Sequence, residues 1–233
     1  FRNDVTHYDD RRFTHVIKPF KPPENWTIYR SFDFGYSKPF SCAWSAIDQD
    51  GRIYRILELY GCVKDEPDVG VKWTPERQFK EIARIEREHP YLKGKRIQGV
   101  ADPSIWDGSR GIAIIEEAEK QYLWFDKGIN DRIPGWMQIH ERFKFDEEGF
   151  AKLYIFDNCK DTIRVIPLMM YDEHKPEDLD TDLEDHILDS IRYFAMSRII
   201  APREVIEKKK PMHDPLEQFD SKRRQNKAIF RRY

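Results

Sequence analysis

Three β-rich segments crowd into residues 26–60: WTIYRSF at 26–32, FSCAWSAI at 40–47 and RIYRILELY at 52–60. Only Asp48, Gln49, Asp50 and Gly51 separate the second from the third, and a turn ending on glycine between two strands is a hairpin signal. The three segments are therefore expected to form an antiparallel meander. The rest of the chain must pack against that sheet.

Beyond residue 60 helices and strands alternate. Thr74, Pro75 and Glu76 open a helix, with Thr as N-cap, Pro in the first turn and an acid at the positive end. Phe79, Ile82 and Ile85 recur at helical spacing down to His89 and Pro90. RIQGVA at 96–101 reads as a strand ending at Asp102-Pro103, and 109–120 as a second helix. KLYIF at 152–156 is a further strand, expected to pair with 142–145 in a β-hairpin across Asp146, Glu147, Glu148 and Gly149. Residues 121–149 otherwise look irregular, with Trp124 and Trp136 as packing residues. Residues 159–169 suggest a short helix, and 182–198 a long one with Ile187, Ile191, Phe194 and Ala195 on its apolar face. Three antiparallel strands, then helix, strand, helix, strand, helix, predict an α/β fold. It is a mixed five-stranded sheet flanked by helices, the ribonuclease-H-like arrangement, with an added β-hairpin. Residues 1–25 read as a linker or lead-in, 26–200 as the domain, and 201–233 as a polar tail that turns basic at its end.

Composition narrows the function classes. A chain of 233 residues carries 40 Lys and Arg against 42 Asp and Glu, a formal charge of −2. Nothing in the whole-molecule charge calls for a polyanion, so any such site must be local. Cys42, Cys62 and Cys159 stand far apart with no CxxC pair, which argues against a structural zinc site and suits a reducing compartment. No GxxxxGK[ST] phosphate loop is present, and no apolar run would span a bilayer, so no membrane partner is expected. The chain starts with Phe, which suggests a piece of something longer.

The acids carry the chemistry. In this strand order the first and fourth main strands are neighbours, so Asp33 and Asp102 would project from one sheet edge. The last helix offers Asp182, Asp185, His186 and Asp189 at spacings of three and four, on one face. Such a cluster repels itself unless cations occupy it, and oxygen-rich sites with open positions suit Mg²⁺ or Mn²⁺. Two such ions would clamp the attacking and leaving oxygens of a phosphodiester. The same residues have plainer readings: Asp33 as a turn or cap residue, Asp182 as an N-cap, Asp189 as the partner of Arg192, His186 as a structural histidine.

The stretches FDFGYSKPFSCAWSAID, GVADPSIWDGSRG and DTDLEDHILDSIRYFAMSR, at 32–48, 99–111 and 180–198, resemble the three acidic motifs of the nuclease domain of viral (tailed bacteriophage) DNA-packaging terminase large subunits. The resemblance implies a divalent-metal endonuclease with two Mg²⁺ or Mn²⁺ ions that cuts concatemeric double-stranded DNA. It implies Asp33, Asp102 and Asp185 as catalytic metal ligands, with His186 and Asp189 as further metal residues. Implied partners are double-stranded DNA, an N-terminal ATPase motor in the full-length chain, the portal protein and the small terminase subunit, in the host cytoplasm. Lys38 behind Asp33, Arg110 in the loop beside Asp102, and Lys144 and Lys152 on the hairpin are candidate DNA contacts. The basic tail suits DNA phosphate or the portal. A Holliday-junction-resolvase-like nuclease on the same fold, and a non-catalytic docking module, are the alternatives.

Overall fold

A computed structural model describes residues 1–109, 111–171, 177–180 and 183–197. Its strands are β1 (Val16–Ile17), β2 (Thr27–Asp33), β3 (Ser41–Ile47), β4 (Ile53–Tyr60), β5 (Ile97–Ala101), β6 (Asp126–Lys127) and β7 (Leu153–Phe156). Its helices are α1 (Pro75–Glu88), α2 (Ile114–Glu119), α3 (Arg132–Phe143), α4 (Lys160–Val165) and α5 (His186–Ser197). The strands form one sheet in the order β1-β7-β4-β3-β2-β5-β6. The meander β2-β3-β4 is antiparallel, whereas β5 runs parallel to β2 and β7 parallel to β4. The five expected main strands are there, and two-residue strands extend the sheet at each edge.

Strand parity decides what each face carries. In β2, Ile28 and Phe32 point to the core beneath α1, where Phe79 and Ile82 meet them, while Tyr29 packs with Phe194 of α5. Side chains alternate along a strand, so Asp33 shares the α5 face with Tyr29 and Ser31. The same parity turns Val100 toward α5 and Ala101 toward the α1 side. α5 is buried almost all round, from Ile187 to Met196. The α1 face carries its own buried charge: Arg30 donates to Glu86 at 2.6 Å, Glu86 also accepts the Trp44 indole N–H at 2.8 Å, and Arg30 stacks on Phe125.

Thr74 caps α1 as its sequence suggests, its hydroxyl accepting the Arg77 amide. Several other expectations change. Residues 1–25 are not a lead-in alone: Val16 and Ile17 join the sheet as β1. β1 pairs with β7, and the buried His15 ring bonds the Phe143 carbonyl at 2.8 Å. Burial lowers the pKa of that imidazole to about 4. The hairpin strand at 142–145 is absent, because the end of α3 and its C-cap occupy it; only a single bridge, Phe145 to Ala151, closes the Asp146–Gly149 turn. The segment read as irregular thus contains α3. Its Pro134-Gly135 pair looks like a break, yet Pro fits a first helical turn, where its missing N–H costs nothing. Gly135 is needed for packing: a Cβ there would lie 2.4 Å from Cγ of Arg192 on α5. Trp136 is buried as expected, whereas Trp124 is 64% exposed and contributes its carbonyl to Arg30 instead. The tail at 201–233 lies outside the described residues.

Candidate active site

Asp33 ends β2 and Asp102 follows β5, its neighbour. The Asp102 amide donates to the Phe32 carbonyl at 3.0 Å, which continues the parallel ladder and sets the two acids side by side at one sheet edge. Asp102 also caps the short turn Pro103–Trp106: its two oxygens accept the Ser104 amide at 3.0 Å and the Ser104 hydroxyl at 2.6 Å. Asp102 is thus both a turn cap and an acid at the sheet edge. A serine pair, Ser41 on β3 and Ser190 on α5, bonds at 3.0 Å and pins the helix to the strand opposite Asp33.

α5 and the residue before it then bring their acids in. His186 Nδ1 lies 3.3 Å from Asp33 Oδ2. Asp185 precedes it and is 7% exposed; Asp189 follows one turn on. Burial raises the Asp33 carboxyl well above the usual carboxylate range, and Asp189 and Asp102 add to this while His186 opposes it. Burial, then Asp189, raises Asp185 to about 6, with His186 and Arg132 pulling the other way. Burial opposes charge on His186, but its bond to Asp33 and the fields of Asp33, Asp185 and Asp68 outweigh burial and raise its pKa. Tyr193, on the same helix, is raised by burial and then by the charges of Asp33, Asp189 and Asp102.

Two residues had no signal in the sequence. Asp68 lies in the loop after β4, with φ of +62°, a conformation Asp tolerates better than most. His186 Nε2 is 3.3 Å from Asp68 Oδ1, within ion-pair reach but misaligned, so that buried oxygen has no hydrogen bond. The loop is held by Gly70: its amide donates to Ser37 O at 2.8 Å, and a Cβ would sit 2.3 Å from the Lys38 carbonyl. Arg132, at the start of α3, reaches Asp185 Oδ2 through both terminal nitrogens at 3.3 Å and lies 3.7 Å from Asp189 Oδ2. Neither belongs to a local motif; tertiary packing alone delivers them.

The other expected residues divide. Lys38 lies at the site but pairs with Asp68. Asp189 does bond Arg192, at 2.9 Å, in a buried rather than a surface pair. Lys144 and Lys152 are at the wrong end. The Lys152 carbonyl accepts the Ile53 amide, and Ile53 is level with Ile47 and Thr27, the start of β2. That is the length of β2 away from Asp33, ~20 Å. Arg110 and Asp182 lie outside the described residues.

Among the described residues, no three His, Cys, Asp or Glu side chains stand close enough to hold an ion as they are. The donor set is nonetheless suited to a hard divalent cation. It is all oxygen but for one imidazole, its two most buried acids lack enough positive charge to ionise readily, and one buried Asp68 oxygen is unbonded.

A mixed sheet of this order flanked by helices is the ribonuclease-H-like fold. The solved structures it resembles are specific. The P22 large terminase nuclease domain matches at a TM-score of 0.60 with 16% identity, covering 78% of this chain and 87% of that one. The large terminase of a thermophilic bacteriophage, in complex with ADP, matches at 0.61 with 19% identity, covering 84% of this chain. The matched region spans only 44% of that longer terminase. No family model matches the sequence, and no curated protein matches it.

Proposed function

We propose that the chain is a divalent-metal-dependent endonuclease domain of a phage DNA-packaging terminase, hydrolysing phosphodiesters of double-stranded DNA. The observation that carries this is the placement of Asp33 and Asp102 side by side at the sheet edge, beneath Asp185 and the start of α5 with its Asp189. Asp33, Asp102 and Asp185 would hold Mg²⁺ or Mn²⁺, two ions in the full reading, with His186 and Asp189 beside them. Bound divalent ions supply activation of water and neutralisation of charge on the phosphate. The chain's own residues do the positioning. Ser104 fixes both oxygens of Asp102, His186 orients Asp33, and the exposed Lys38 at the rim is suited to a DNA phosphate. In the intact protein an ATPase motor, portal protein and small terminase subunit would be partners, acting in the host cytoplasm. Among the described residues no helix is long and apolar enough to cross a membrane.

One observation favours the docking-module reading. The acids are already engaged by His186 and Arg132, and no ion-ready triad stands open among the described residues. A single experiment separates the two: supercoiled plasmid incubated with the chain in Mn²⁺ or Mg²⁺, with and without EDTA, and with Asp33→Asn. Metal-dependent nicking lost in the variant supports the nuclease. Intact plasmid at every metal concentration, with DNA retained in a binding assay, supports the docking module.

A further inference from the structure

We infer that Arg132 is a resident counter-cation. It holds Asp185 and Asp189 in register while no metal is present, and it competes with a divalent ion for Asp185, thereby setting the metal concentration at which the site loads. This rests on the metal-site reading above. Arg132 is a positioning residue: it acts through Asp185 and touches no substrate.

The geometry is of an arginine anchored at one acid and leaning on two others. Its Nε bonds Asp178 Oδ1 at 3.0 Å, and the Trp136 indole N–H donates to the same oxygen at 2.6 Å. The guanidinium carbon stands 5.1 Å from the Trp136 ring centre. By contrast, both contacts to Asp185 are 3.3 Å and the approach to Asp189 is 3.7 Å. Charge-assisted N–H···O bonds prefer ~2.7–2.9 Å, so the Asp185 contacts are the long, releasable ones. Asp178 keeps a partner for the guanidinium if Asp185 turns away, so release leaves no bare buried charge.

The position is also fixed. Gly135, one turn along α3, lies against the Arg192 side chain, and Arg192 in turn bonds Asp189 and Asn130. α3 cannot slide without disturbing α5. A guanidinium does not deprotonate in proteins, so Arg132 can be displaced but not neutralised. A divalent ion gathered by Asp185 must therefore take that carboxylate from Arg132 and sit in the field of its charge. The same charge offsets acid repulsion in the metal-free protein.

The test measures Mn²⁺ binding by calorimetry on the whole chain, with thermal melts in EDTA and in saturating Mn²⁺. Arg132→Gln and Arg132→Met remove the charge; Arg132→Lys keeps it. The charge-removing variants are expected to bind Mn²⁺ at least about three-fold more tightly, to melt lower in EDTA, and to recover most of that loss in Mn²⁺. Arg132→Lys is expected to bind within about two-fold of wild type, since it retains the charge. Unchanged or weaker Mn²⁺ binding in both charge-removing variants overturns the proposal. So does failure of both to fold with or without Mn²⁺, which makes Arg132 structural only; folding in Mn²⁺ but not in EDTA supports it. Wild type that binds no Mn²⁺ sinks the metal-site reading itself, a result distinct from binding that ignores Arg132.

Discussion

Asp185→Asn is expected to stabilise the metal-free protein at neutral pH and leave it unchanged in acid. Folded Asp185 has a pKa of about 6 against an ordinary 3.8, because burial and Asp189 disfavour its charge more than His186 and Arg132 favour it. The folded state thus holds more protons than the unfolded one across that window. Stability from this group is fully present below 3.8 and is lost as pH rises through about 6. At ~1.4 kcal/mol per pH unit the loss approaches ~3 kcal/mol at pH 7, a ceiling that local relaxation would lower. Asparagine has the shape of the protonated acid and never ionises. The variant should therefore match wild type near pH 4 and exceed it at pH 7.5 by ~1–3 kcal/mol, which is ~2–4 °C of Tm per kcal/mol in a domain of this size. Thermal melts in EDTA across that range measure the difference curve. Parallel wild-type and variant curves would refute the claim that Asp185 is a buried, under-compensated acid. In saturating Mn²⁺ the sign should reverse, since only wild type retains the ligand.

Asp33→Asn and Asp102→Asn should each reduce Mn²⁺-dependent plasmid cleavage below about a tenth of wild type while the EDTA melt stays level or rises; retained cleavage removes that acid from the site. Lys144→Ala with Lys152→Ala should leave cleavage and DNA affinity within about two-fold, because both lysines sit at the far end of the sheet; a salt-sensitive loss of DNA binding would contradict that. Gly70→Ala should cost ~1–3 kcal/mol by driving a Cβ into the Lys38 and Tyr36 carbonyls. Urea unfolding reads this, and an unchanged midpoint would mean the Asp68 loop is not clamped as described.

The amino-acid sequence by itself determined the sheet and its acidic edge. The β-rich runs of β2 and β3, the glycine turn at Gly51 and the Thr74 cap are local signals, because each is written within a few residues of where it acts. The order of elements they define matches the ribonuclease-H-like arrangement, and that arrangement puts Asp33 beside Asp102. The 3.6-residue period of α5 likewise aligned Asp185 and Asp189. Local signals failed where a residue's conformation answers to a distant one. Pro134 and Gly135 lie in the first turn of α3, where proline's missing N–H costs nothing, and only packing on Arg192 shows why position 135 has no side chain. Val16 and Ile17 read as linker because a two-residue strand has no period to detect, and only β7 gives it a partner. Lys144 and Lys152 read as DNA contacts because polarity alone does not say which end of a sheet a turn occupies. Tertiary structure alone brought Asp68 and Arg132 to the acids, from a loop and a helix with no motif of their own. Their charges are ordinary in sequence. They matter because burial of Asp33 and Asp185 makes any cation or anion within a few ångströms decide how those acids ionise.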